Sequence, residues 1–124
     1  MFVGVLRLGL SIVGARSLKD KRSVVRSFKE RVQTRMRVSI AEIGALDNPQ
    51  HATFGVATVS NSGAQCDKVL ASVASMAATL PDAVLTDQAT EIVSFGEGGV
   101  GLQGGIERLL DDSPGFNDDS EEEP

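Results

Sequence analysis

Two amphipathic helices, each bracketed by runs that alternate with a period of two, dominate what this chain can fold into. The first opens at Ser17, where Ser17-Leu18-Lys19-Asp20 has the capping-box form: a hydroxyl to accept an orphan backbone N–H and an acid at the third helical position. Leu18, Val25, Phe28, Val32 and Met36 then recur at helical spacing, with Val24 widening the stripe. The second opens at Ser62-Gly63-Ala64-Gln65, and Cys66, Val69, Leu70, Val73, Met76, Ala77 and Leu80 follow at helical spacing. Pro81 ends it, because the residue before a proline is pushed out of the α region.

The flanking runs read as strands. Phe2, Leu6, Leu8, Leu10 and Ile12 alternate with Val3, Val5, Arg7, Gly9 and Ser11. Val38, Ile40 and Glu42 alternate with Ser39, Ala41 and Ile43. A third strand is predicted from Ala52 to Ser60, and a hairpin through the turn cluster Asp47-Asn48-Pro49 joins it to the second. A fourth runs from Val84 to Phe95, weakened by Asp87-Gln88. The order βαββαβ predicts a split βαβ, ferredoxin-like α+β fold over residues 1–95. Right-handed crossovers then place both helices on one face of a four-stranded antiparallel sheet. The other face carries Val3, Val5 and Arg7 uncovered, a surface suited to a second copy or a protein partner. Residues 96–124 read as a glycine-rich and then acidic, mostly disordered tail.

Charge is distributed very unevenly. The net value of −5 combines +8 over residues 1–40, −5 over residues 41–95 and −8 over residues 96–124. Lys19, Arg22, Arg26 and Lys29 follow helical spacing along the first helix; Lys21, Arg31 and Arg35 flank them, and Arg16 precedes the helix. A solvated helix face ordinarily mixes signs, whereas this one mostly repels itself. Arg16, Lys19, Lys21, Arg22, Arg26 and Lys29 are therefore expected to contact phosphates of RNA or DNA, against the plainer reading of a soluble face partly neutralised by the tail. With no Trp or Tyr in the chain, stacking on bases is not expected.

Motifs for catalysis or cofactors do not hold up in context. Gly99-Val100-Gly101-Leu102-Gln103-Gly104 matches G-x-G-x-x-G, but a dinucleotide site needs a further strand with a ribose-binding acid, and residues 105–124 contain no strand signal. His51 has no nucleophile or second ligand near it in sequence and reads as a plain hairpin-loop residue. Cys66 reads as a buried thiol, and one Cys with one His makes a structural zinc site implausible. Glu42 is the odd acid on an apolar strand face. It is read as an edge charge discouraging sheet pairing or a partner for a basic residue of the first helix, ahead of a lone catalytic acid. The expectation is a cytoplasmic, non-enzymatic protein with no cofactor, no metal and no membrane span.

Gly4-Val5-Leu6-Arg7-Leu8, Ala15-Arg16-Ser17-Leu18-Lys19-Asp20-Lys21-Arg22, Val38-Ser39-Ile40-Ala41-Glu42 and Gly55-Val56-Ala57-Thr58-Val59-Ser60-Asn61 together resemble the YlxP-like family of bacterial proteins, domain of unknown function 503. The resemblance covers roughly residues 1–95. It implies a ferredoxin-like fold and a gene neighbourhood of transcription elongation, translation initiation and ribosome maturation factors. That neighbourhood favours an RNA- or ribosome-linked role, with a homo-oligomeric or protein-interaction module as the alternative. The resemblance implies no catalytic residues and directs interest to Arg16, Lys19, Lys21, Arg22 and Glu42. Two departures stand out: the loop Ala45–His51 lacks an expected aromatic residue, and the segment after Phe95 reads as an addition.

Overall fold

The computed structural model describes residues 1–96; the glycine motif and the acidic segment read in residues 97–124 lie outside them. In chain order the elements are β1 (Phe2–Ile12), α1 (Leu18–Arg35), β2 (Ser39–Gly44), β3 (His51–Ser60), α2 (Gly63–Ala78) and β4 (Ala83–Ser94). The main compact unit is Phe2–Val93. Its sheet runs β2-β3-β1-β4, the ferredoxin-like order, and is antiparallel throughout.

Both helices start where the capping signals put them. Ser17 Oγ accepts from the Asp20 N–H at 3.2 Å, and the Asp20 carboxylate accepts from the Arg16 N–H at 3.0 Å. One orphan helix donor and the amide just before the cap are thus satisfied, with an acid in the positive first turn. Ser62 Oγ likewise accepts from the Gln65 N–H at 3.2 Å. The second helix ends at Ala78, two residues short of Leu80, with Thr79 as its cap.

Alternation in β1 sends Leu6, Leu8, Leu10 and Ile12 into the core and leaves Val5 and Arg7 exposed on the opposite face. The core lies between sheet and helices, where Phe28 of α1 and Phe54 of β3 meet edge to face at 5.2 Å between ring centroids. Gly4 lets α2 approach: a Cβ there would lie 2.8 Å from Leu70 Cδ1 and 3.1 Å from Cys66 Cβ. Cys66 is buried, as its apolar neighbourhood predicts.

Two local expectations change. His51 is not a loop residue but the first residue of β3, opposite Ser11 of β1. In β2 the register against β3 shifts between Glu42 and Gly44, so Ile43 is the extra residue of a bulge and its side chain lies over Gly55.

Candidate functional site

The outward side of α1 carries Lys19, Arg22 and Arg26 in the open, with Lys29 half-buried and Arg16 exposed just before the helix. Their spacing of three and four residues puts them on one side of the cylinder. Arg22, Arg26 and Lys29 border a shallow depression of about 350 Å³ together with Val25, Glu30 and Gln33. Among the described residues only two ion pairs form, and neither includes a member of this row. The row is therefore a surface of mainly positive charge, with Glu30 at its border and no ion pair formed to it from the described part of the chain.

Lys21 is a correction. The sequence predicts it among the phosphate-facing cations, but it is only 2% exposed and points the other way. Residues 21, 25, 28 and 32 form one helical stripe, and this is the stripe that α1 buries: Lys21, Val25, Phe28 and Val32. The Lys21 Nζ donates to the carbonyls of Ala45 (2.8 Å), Leu46 (3.3 Å) and His51 (3.1 Å). It also lies 2.8 Å from Glu42 Oε2. An ammonium has three protons, and three carbonyls take them. The Glu42 oxygen is consequently ion-paired but has no aligned hydrogen bond of its own.

This arrangement settles the choice posed for Glu42, which is the partner of a first-helix cation. Its side chain faces the helices rather than the sheet edge, and is 18% exposed. The cluster ties both ends of the β2–β3 loop to α1. Within the loop, Ala45 adopts φ 57°, and the Asn48 side chain accepts from the Gln50 N–H at 2.8 Å. Sequence reading missed the burial of Lys21, although the 21/25/28/32 spacing held the signal; what hid it was the density of Lys and Arg around it.

On the other side of the sheet, Val5, Ile43 and Val59 are exposed by 43%, 56% and 62%. Ala41, Gly55 and Ala57 make the low floor between them, part of a depression of about 470 Å³ that Arg7, Ala89 and Glu91 also line. The Arg7 guanidinium contacts Asp87 at 3.1 Å, with both side chains about half exposed. Val3, expected on this face, is there but half-buried.

Among the described residues no group of three or more His, Cys, Asp or Glu converges as a metal site would require. His51 is exposed and its contribution to the Lys21 cluster is its backbone carbonyl. No helix among the described residues is long and apolar enough to cross a membrane.

Residues 3–90 match the model of the family described as protein of unknown function (DUF503). The chain belongs to that family. YlxP of Bacillus subtilis strain 168, an uncharacterised protein, is 38% identical over 89 residues, covering 72% of this chain and 97% of the relative. Solved structures similar in fold include a de novo designed protein with a ferredoxin fold, 10% identical with TM-score 0.42, over 78% of this chain and 90% of that one. A dimeric ferredoxin-like protein from an uncultured marine organism is 7% identical with TM-score 0.43, over 78% of this chain and all (100%) of that one. The DUF503 match includes all six elements up to the last residues of β4, and hence both the α1 row and the Lys21–Glu42 cluster.

Proposed function

We propose that this DUF503 member is a non-catalytic, cytoplasmic RNA-binding factor that lays the outward face of α1 along phosphates, as a ribosome-associated protein would. The observation that carries the reading is the row Lys19, Arg22, Arg26 and Lys29, with Arg16 beside it. These are cations of one sign at helical spacing, with no ion-pair partner among the described residues. A protein that keeps such a row solvated pays repulsion along the helix, and phosphate neutralisation with counterion release turns that repulsion into binding free energy. Contacts of this kind position a nucleic acid without reading its bases. The absence of Trp and Tyr from the chain agrees with recognition by charge and shape rather than by a stacking sheet.

The test is fluorescence anisotropy with a labelled duplex-containing RNA across a salt series. About four phosphate contacts give a slope of log affinity against log salt of roughly −3 to −4. The combined variant K19E/R22E/R26E should weaken RNA binding on the order of a hundredfold and abolish co-sedimentation with ribosomal particles while leaving the far-ultraviolet circular dichroism unchanged. Wild-type protein that never binds RNA, or a variant that binds as well as wild type, overturns the proposal.

A further inference from the structure

Given the RNA reading above, on which this rests, we propose that Glu30 makes the α1 surface selective for RNA over DNA. Its carboxylate accepts a hydrogen bond from a ribose 2′-hydroxyl of the bound strand.

Glu30 is an acid without employment in the fold. The helix holds two acids, Asp20 and Glu30, among its 18 residues. Asp20 is engaged, its carboxylate accepting from the Arg16 N–H at 3.0 Å in the first turn. Glu30 is exposed, and among the described residues its carboxylate forms no ion pair. Its backbone carbonyl, not its side chain, takes the Thr34 hydroxyl at 2.7 Å. Arg26 precedes it by four residues, which is the weaker of the two orders for an ion pair along a helix.

The surroundings of Glu30 give it a use. It borders the depression of about 350 Å³ together with Arg22, Arg26, Lys29 and Gln33. That volume is near the lower end of the roughly 300–1,000 Å³ of small-ligand sites, room for about one nucleotide of a strand. The three cations neutralise phosphates, whereas a carboxylate beside them repels the same phosphates. A carboxylate also accepts hydrogen bonds and cannot donate one. A strand lying here must therefore bring a donor to Glu30 or lose affinity. Phosphate and ring oxygens only accept. The 2′-hydroxyl both donates and accepts, and it is carried by every ribonucleotide and by no deoxyribonucleotide. Gln33 lies one turn beyond Lys29, and its carboxamide can donate to the oxygen of that same hydroxyl. Cations alone hold any polyanion. RNA gains a charge-assisted hydrogen bond at Glu30, while DNA meets an uncompensated negative charge.

The test is fluorescence anisotropy of the full chain with three labelled strands of one sequence: RNA, its 2′-O-methyl form and DNA. The methylated strand keeps the sugar pucker of RNA but loses the donor, so it separates the hydroxyl from the shape of the strand. Wild type should bind RNA about tenfold tighter than either of the others. E30A should bring all three within about twofold, losing affinity for RNA and gaining it for DNA. E30Q, which keeps an acceptor oxygen, should retain part of the preference. Equal binding of RNA and its 2′-O-methyl form by wild type overturns the proposal. So does an E30A protein that keeps the wild-type preference, or one that tightens on all three strands alike, which would make Glu30 a repulsive charge only. Wild type that binds none of the strands overturns the RNA reading itself, an outcome distinct from binding without preference.

Discussion

The two ion pairs among the described residues lie on opposite sides of one sheet and behave as different objects. Lys21–Glu42 sits on the helix side, with the lysine 2% and the glutamate 18% exposed, and its ammonium also holds three loop carbonyls. Arg7–Asp87 sits on the open side with both partners about half exposed. The distances differ little, at 2.8 Å and 3.1 Å. Environment decides the difference. Water screens the open pair and competes for its hydrogen bonds, whereas the buried lysine has surrendered its hydration and depends on the oxygens around it. Charge on the helix side is architecture, joining α1 to the β2–β3 loop. Charge on the open side, and on the outward face of α1, remains available to a partner.

The sharpest way to break the comparison is Lys21→Ala. It strips three carbonyls of their common donor and one carboxylate of its counter-charge, so urea denaturation should show a loss of about 3–5 kcal/mol. A loss below about 1 kcal/mol would mean that water replaces the ammonium and that the pair is no more structural than a surface one.

Next is K19E/R22E/R26E on the opposite side of the same helix. Removing three phosphate contacts should weaken RNA binding on the order of a hundredfold near physiological salt, measured by anisotropy. Because these side chains are exposed, stability should change by only about 0.5 kcal/mol per site or less. A large drop in stability would show that the outward cations also carry structure.

Asp87→Asn tests the open pair. Its cost should stay under about 1 kcal/mol and shrink further in high salt. The smallest effect belongs to the acidic segment. Residues 111–124 carry seven acids and no cation, so their deletion should tighten RNA binding modestly at low salt and not at high salt, read as the difference between the two titrations. Equal affinity at both salts would leave the segment with no role in competing for α1.

Most of the fold was legible because its signals are local. Ser17 and Ser62 satisfy backbone donors three residues away, and side-chain periodicity distinguishes strand from helix over a handful of residues. The phosphate-facing row was legible for the same reason, since residues 19, 22, 26 and 29 share a helix face wherever the helix is docked. Lys21 escaped because its burial depends on acceptors 21 to 30 residues away, at Glu42, Ala45, Leu46 and His51. No propensity scale places a lysine in a core; only a converging set of oxygens does.

The sequence alone therefore determined the six elements, their caps, the apolar side of each and the asymmetric charge, all of which follow from interactions within a few residues along the chain. Tertiary structure decided which cations are structural and which are exposed. It also brought Arg7 to Asp87 across the open face of the sheet. Those outcomes require segments 21 to 80 residues apart to come together, and only the folded sheet with its docked helices brings them there.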